Sequence, residues 1–347
     1  MITAEFANCF RHQLTLCKVG TDDTVVFLTD KTAQRDVVES GLAVATELGI
    51  RAYELRVQQG RVSGQVDADP FNIPGIKEAL EKATVAFCFF SAFFSRWHKP
   101  FRARGGRILN VIDVPEQLIR LQSGPALKSA VLAARDRLLK TATVRVTSAA
   151  GTDLHYRIDQ EAPLFTHYGF ADERGHMDHW GQGMVAMFPR EGDANGKVII
   201  QPGDVWLLPY ARIVQSVIEL EIRDGYVEQV DGGLDADMFR SWLDSCKTSA
   251  TDKDPYAVSH LGWGLNPAAR WDDIVNYENQ VPWLAASMRS FPGNFLFSTG
   301  PGHRRVTRGH IDMPMRHCSI ALDGETVVHE GKIVAPEMLV DANHRSH

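Results

Sequence analysis

The sequence is poor in cysteine and has no two cysteines at close spacing. The five that are present lie far apart, at Cys9, Cys17, Cys88, Cys246 and Cys318. An odd number of scattered cysteines argues against both a disulfide framework and a CxxC zinc ribbon. Such a chain suits a reducing compartment, and we expect a cytoplasmic protein.

Concentrated positive charge is missing as well. The formal net charge is −6, and the longest basic run is the tripeptide at 303–305. Nucleic acid and anionic membrane surfaces are bound by basic patches, so neither is an expected partner. A small molecule is the better expectation.

Long apolar runs and nucleotide-binding glycine patterns are also absent. The most apolar stretch, residues 85–94, is about half of the ~20 residues that a membrane span needs. The first twenty residues lack the basic region and apolar run of a secretion signal. Neither GxGxxG nor a Walker motif follows a predicted strand, so we expect no nucleotide cofactor.

Strands and helices alternate in the first part of the chain. Apolar runs of strand length lie at 24–30, 51–57, 84–90 and 107–113, and helical periodicity lies at 31–49, 75–83 and 125–142. This alternation predicts a parallel sheet covered by helices. We therefore expect an N-terminal α/β domain at residues 1–142.

The remaining residues, 143–347, carry the signals of antiparallel strands. Asp224 and Gly225 sit between two strand-like runs, and the stretch 319–334 contains an Asp-Gly and a Glu-Gly turn. Turns of this kind are typical of β-hairpins. We expect a mainly antiparallel β (α+β) domain with one clear helix at 234–246, and we place the metal-binding, catalytic part of the protein there.

Nine of the thirteen histidines lie between positions 155 and 329. The densest segment, 166–183, sets His167, Asp172, Glu173, His176, Asp178 and His179 among glycines and aromatic residues. Titratable groups are costly to order unless a partner compensates for their desolvation. A solvated surface loop is the commoner structure for such a segment, but its aromatic residues favour a site wall.

A second candidate is His260, in the stretch 257–267. A lone histidine is more often a hydrogen-bonded structural group than a ligand. Gly262 and Gly264 lie on either side of Trp263, however, and they permit the close backbone approach that a crowded site requires.

The third candidate is the pair His310 and Asp312. In a strand, residues two apart point to the same face, so both side chains can reach one ion. His-x-Asp alone is a weak signal, and a polar pair on an open sheet face is the alternative. Adding His260 gives two imidazoles and one carboxylate, a set suited to non-haem Fe(II) chemistry with O2 that Zn(II), Mn(II) or Co(II) can also occupy.

Four segments together resemble the 2,5-dihydroxypyridine 5,6-dioxygenases of bacterial nicotinic acid degradation, whose fold is related to that of the M29 aminopeptidases. The segments are 168–180, 259–271, 293–301 and 310–323. The resemblance implies a mononuclear Fe(II) on His260, His310 and Asp312. It also implies O2-dependent cleavage of 2,5-dihydroxypyridine, or of a close hydroxylated N-heterocycle, to N-formylmaleamate by a homo-oligomeric enzyme.

The resemblance fails at one position. The family has an acid/base histidine where this chain has Phe94, and His98 lies four residues further on. We take His98, Glu173 and His179 as candidates for the base that accepts the substrate proton. An exposed polar turn is the alternative for His98.

Aromatic side chains are candidates for packing against the flat ring. They are Phe90, Phe93, Phe94 and Trp263. Ordinary core packing explains each of them equally well.

Two other functions are rivals to the dioxygenase. A dinuclear hydrolase of the M29 aminopeptidase type needs a second metal ion and more carboxylate ligands than this set offers. A non-catalytic protein stabilised by a metal would have a closed coordination shell, whereas three ligands leave positions open.

Overall fold

The computed structural model describes residues 4–57, 73–90, 97–277 and 287–340. Its α-helices are α1 (Ala4–Leu16), α2 (Arg35–Glu47), α3 (Pro74–Lys82), α4 (His98–Ala103), α5 (Pro115–Arg120), α6 (Pro125–Leu138) and α7 (Leu234–Ser245). None of the described helices is both long and apolar enough to cross a lipid bilayer.

The first ten strands are β1 (Thr24–Thr29), β2 (Arg51–Arg56), β3 (Val85–Cys88), β4 (Arg107–Asn110), β5 (Thr143–Ser148), β6 (Asp153–Arg157), β7 (Phe165–His167), β8 (Met177–His179), β9 (Met184–Met187) and β10 (Asn195–Ile200). The next ten are β11 (Val205–Trp206), β12 (Arg212–Ile213), β13 (Ile218–Arg223), β14 (Tyr226–Gly232), β15 (Leu261–Gly264), β16 (Phe295–Thr299), β17 (Ile311–Met315), β18 (Cys318–Leu322), β19 (Glu325–His329) and β20 (Lys332–Ile333).

The chain forms two compact units. The first comprises Met1–Gly124 and Tyr168–Gln182, and the second comprises Pro125–His167 and Gly183–His347. The predicted fold class, an α/β part and a mainly antiparallel β part, is confirmed. The units depart from the predicted boundary at 142/143 because α6 packs on β7 and β9, and because β8 pairs with β4.

The first unit is built on a five-stranded parallel sheet in the order β2-β1-β3-β4-β8. Its first four strands lie where the apolar runs predicted them. The fifth, β8, was not predicted, because three residues, Met-Asp-His, show no strand periodicity of their own. It forms through parallel pairing with β4.

Closely packed aromatic rings lie in the core of this unit. The ring of Phe10 on α1 lies 6.0 Å from Phe27, 5.6 Å from Phe87 and 5.4 Å from Trp180, centroid to centroid. A Cβ at Gly41 would come within 2.5 Å of the rings of Phe10 and Phe27. Glycine at this position therefore lets α2 lie directly on the aromatic core.

The second unit contains an eight-stranded antiparallel sheet in the order β14-β13-β10-β6-β5-β18-β19-β20. The predicted hairpin at Asp224-Gly225 joins β13 to β14, and φ is 50° and 78° at these two residues. Asp323-Gly324 and Glu330-Gly331 turn β18 into β19 and β19 into β20, again with two positive φ angles each. Such paired positive angles belong to the tight turns that suit hairpin twist.

A second antiparallel sheet in this unit has the order β17-β16-β15-β9-β7, and β11 pairs with β12 separately. Gly262 on β15 faces the backbone of β9. A Cβ there would lie 2.1 Å from the carbonyl oxygen of Val185 and 2.7 Å from the Cα of Ala186. The close backbone approach expected around Trp263 is thus present, and it fixes the position of β15.

We predict that Gly262→Ala destabilises the protein, since the added methyl group meets backbone that cannot rotate away. The expected loss in the free energy of unfolding is about 1–3 kcal/mol, measured by urea denaturation. Gly20→Ala is the control, because nothing lies within 4 Å of a Cβ at Gly20. Equal stabilities of the two variants would contradict the close contact between β15 and β9.

Candidate metal centre

Three neighbouring strands of the second unit position the candidate ligands. His260 lies immediately before β15, His310 lies immediately before β17, and Asp312 lies on β17. Strand β16 runs between these two strands and pairs with both, and its Ser298 is opposite Asp312. Residues 50 positions apart in sequence therefore meet across a single strand.

The donor atoms of these three side chains converge. Oδ1 of Asp312 lies 3.3 Å from Nε2 of His260 and 3.1 Å from Nε2 of His310. All donor atoms lie within 4.8 Å of one another. Asp312 is fully buried, and the histidine side chains are 13% and 16% exposed, so the group can be reached from the histidine side.

The second carboxylate oxygen is held by an arginine that the sequence did not indicate. Arg289 donates from Nε and Nη2 to Oδ2 of Asp312, at 2.8 Å and 2.5 Å. Two N–H groups in a rigid fork make a strong, oriented ion pair. Because the two partners are 23 positions apart and no regular pattern links them, local spacing could not have revealed the pair.

Hydrogen bonds fix the backbone and the ring of His260. The hydroxyl of Ser298 donates to the carbonyl oxygen of His260, and Ser259 N–H donates to the carbonyl oxygen of Ser298 at 2.9 Å. Oγ of Ser259 lies 3.3 Å from Nδ1 of His260 and donates its own proton to the carbonyl oxygen of Pro301. The serine oxygen is thus placed to accept a hydrogen bond from Nδ1–H, and this tautomer leaves the lone pair on Nε2, the nitrogen that faces Asp312.

Charge favours the protonation states that a metal ligand needs. Burial raises the pKa of Asp312, but Arg289 and the two imidazoles outweigh it and hold that pKa well below its usual range. Burial lowers the pKa of His260, with Asp312 opposing the change. An ionised carboxylate and a neutral imidazole are the forms that bind metal ions.

Two phenylalanine rings flank His260. The ring of Phe165 on β7 lies 5.4 Å from the imidazole and that of Phe188 lies 6.1 Å from it, both edge-on. These residues come from segments far from His260 in sequence, and no spacing linked them to it. The two rings form an apolar surface on one side of His260.

The three acid/base candidates lie in the first unit. His98 begins α4 and is 8% exposed, and His179 ends β8 and is 2% exposed, whereas Glu173 is exposed. Of the predicted ring-packing residues, Phe90 and Trp263 are buried. Phe93 and Phe94 lie outside the described residues.

The dense segment 166–183 is organised around Asp178, which is fully buried. Its carboxylate accepts the backbone N–H of Tyr168 at 2.9 Å and that of His179 at 2.7 Å, and Nε2 of His176 lies 3.0 Å from it. The rings of Tyr168 and His176 stack at 4.7 Å. Internal bonds therefore satisfy much of the polarity that suggested a ligand.

We predict that Asp178→Ala destabilises the protein by about 3–5 kcal/mol, because it leaves buried donors without their acceptor. Thermal denaturation followed by circular dichroism measures the loss. Asp22→Ala, at an exposed position of the same unit, is the control and should stay near the wild-type value. A stable Asp178→Ala variant would show that other groups order this segment.

The donor set fits a single metal ion by its chemistry. Two imidazole nitrogens and one carboxylate oxygen converge, and an ion in this group would have coordination positions left over. The fold and this group define a class of protein in which an α/β unit accompanies an antiparallel β unit that carries an open two-histidine, one-carboxylate centre.

The chain belongs to the 2,5-dihydroxypyridine 5,6-dioxygenase family, whose sequence model matches residues 5–335. The resemblance noted from four segments is thereby confirmed, and the protein is an oxidoreductase of the dioxygenase type. A curated relative, the 2,5-dihydroxypyridine 5,6-dioxygenase of Pseudomonas putida, is 31% identical over 96% of this chain and 97% of its own length.

Solved structures agree with this assignment. The structure of 2,5-dihydroxypyridine dioxygenase from Pseudomonas putida matches with a TM-score of 0.88 at 30% identity, covering 97% of this chain and 99% of the other. AmpT from Thermus thermophilus matches with a TM-score of 0.61 at 12% identity, over 95% of this chain and 99% of its own. The second likeness concerns the fold alone.

Proposed function

We propose that this protein is an Fe(II)-dependent dioxygenase that cleaves the ring of 2,5-dihydroxypyridine between C5 and C6. The product is N-formylmaleamate, which contains the atoms of the ring together with both atoms of one O2. Membership of the family supports the reaction. The observation that supports iron binding is the convergence of His260, His310 and Asp312.

In this proposal, the ligands, Arg289 and the two phenylalanines have separate roles. His260, His310 and Asp312 hold the ion, and Arg289 keeps the carboxylate oriented. When bound, Fe(II) supplies a place where the ring hydroxyl and O2 are brought together and exchange electron density. The edge-on rings of Phe165 and Phe188 exclude water from one side of His260.

A base must take the proton of the ring hydroxyl. We propose His98, Glu173 or His179 for this role, and burial favours the two histidines. A buried imidazole is shielded from bulk water, as suits a group that accepts a substrate proton. Because Phe94 replaces the histidine that the family has at that position, a close relative of 2,5-dihydroxypyridine is the second candidate substrate.

The alternative is a dinuclear aminopeptidase or other hydrolase of the M29 type. Its support is a likeness of fold to AmpT at 12% identity, which does not extend to the chemistry. Across 4–57, 73–90, 97–277 and 287–340, one group of three or more potential metal ligands converges. It contains a single carboxylate, that of Asp312, and Oδ2 of this carboxylate accepts a hydrogen bond from Arg289. A second ion with a bridging carboxylate would need further acidic ligands, so this donor set favours one metal.

A cytoplasmic location, homo-oligomeric assembly and a place in nicotinate catabolism belong to the same proposal. They follow from the cysteine content and from the family resemblance. Size-exclusion chromatography with light scattering measures the assembly directly.

We predict that anaerobically reconstituted protein binds one Fe(II) per chain and, on adding O2, consumes one O2 per 2,5-dihydroxypyridine. With ¹⁸O2, mass spectrometry should find both labelled atoms in the product. His310→Ala should lose the iron and the activity because a ligand is gone, whereas His329→Ala, at an exposed position of β19, should keep both. Two metals per chain, or peptide hydrolysis without O2 uptake, would favour the hydrolase.

We predict that replacing the true base by glutamine lowers kcat by about 10²–10⁴-fold while one iron per chain is retained. His98→Gln, His179→Gln and Glu173→Gln are compared by stopped-flow kinetics and iron analysis. The variant that loses turnover and keeps its metal identifies the base. Undiminished kcat in all three variants would refute this assignment.

A further inference from the structure

The ion pair between Arg289 and Asp312 has an unusual feature. Both N–H groups of the arginine, Nε at 2.8 Å and Nη2 at 2.5 Å, point to the same oxygen, Oδ2. The more familiar side-by-side pairing gives one N–H to each carboxylate oxygen. Here Oδ1 is left to face the two imidazoles alone, at 3.3 Å from His260 and 3.1 Å from His310.

The position of Arg289 is fixed by its neighbours. Nδ2 of Asn294 donates to the carbonyl oxygen of Arg289 at 2.9 Å. The next residue, Ser290, accepts the N–H of Gly183 on its hydroxyl and the N–H of Asn266 on its carbonyl oxygen, both at 3.0 Å. The side chain of Arg289 is 16% exposed. A residue whose own carbonyl oxygen and following residue are both hydrogen-bonded is suited to hold another group in one orientation.

Asp312 is held just as firmly at its backbone. Its carbonyl oxygen accepts the N–H of Leu207 at 2.8 Å, and it stands opposite Ser298 in the pairing of β16 with β17. With the main chain fixed, the carboxylate can still move by rotation about the Cα–Cβ and Cβ–Cγ bonds. Arg289 removes that freedom.

We propose that Arg289 is a positioning residue that limits Asp312 to one donor oxygen. A free carboxylate can give both oxygens to the same ion and thereby occupy an additional coordination position. Withholding Oδ2 keeps that position open for the ring hydroxyl and O2. This inference rests on the proposed function, because it concerns how the same three ligands present themselves to the ion.

A simple stabilising salt bridge is the competing explanation, and a matched pair in the same unit serves as its control. Arg212 lies 2.9 Å from the buried carboxylate of Asp235, with side-chain exposures of 23% and 1%, against 16% and 0% for Arg289 and Asp312. Replacing Arg212 removes a comparable buried ion pair that includes none of the three candidate ligands. The effect of Arg212→Met on metal binding therefore measures what the loss of a purely structural ion pair does.

The test compares wild type with Arg289→Met, Arg289→Lys and Arg212→Met, each loaded with Co(II) as the probe. Co(II) affinity is measured by competition with a chelating dye, and the visible ligand-field spectrum reports the coordination number. We expect Arg289→Met to bind Co(II) about 10–100-fold more weakly, as is typical when the partner of a metal ligand is lost. We also expect its spectrum to change towards higher coordination. Arg212→Met should keep the wild-type affinity and spectrum.

Arg289→Lys keeps the positive charge but not the paired N–H donors, so its spectrum should change in the same direction. It replaces Arg289→Met in the test if that variant does not fold. Wild-type affinity and spectrum in the folded Arg289 variants would overturn the inference, as would an equal change in Arg212→Met. Wild-type protein that binds no metal ion would instead refute the proposed function, so the two failures are distinguishable.

Discussion

The second unit depends on the ionised carboxylate of Asp312, which is buried completely. Removing such a group from water costs several kcal/mol, and only close, well-oriented partners offset this cost. Arg289 supplies two N–H groups on one side, and the imidazoles of His260 and His310 lie on the other. These partners come from three separate stretches of chain, so the surrounding sheet must hold all of them in register.

Strand β16 provides that register. It separates β15 from β17, and Ser298 binds the backbone on the His260 side while pairing with Asp312 on the other. Gly262 lets β15 lie close to the backbone of β9 on its other side. In the first unit, the buried His179 lies at the carboxyl end of a parallel strand, where α/β sheets commonly bind ligands. Each unit thus offers groups suited to chemistry on its own structural grounds.

The sequence predicted those parts of the structure that local patterns encode. Hairpins at Asp-Gly and Glu-Gly turns, the first four parallel strands and the convergence of His310 with Asp312 all follow from short-range periodicity and turn preference. Features set by long-range pairing were missed. Strand β8 has only three residues and depends on β4, and Arg289 carries no signal until the fold brings it to Asp312. The role of His98, Glu173 or His179 stays a prediction.

The most direct test is an anomalous difference map, recorded at the iron edge, of crystals of the Fe(II)-loaded protein grown without O2. We predict one peak per chain, within bonding distance of Nε2 of His260, Nε2 of His310 and Oδ1 of Asp312, with Oδ2 still paired to Arg289. A peak that avoids any of these three atoms, or a second peak a few ångströms from the first, would contradict the mononuclear centre on which the proposed function rests.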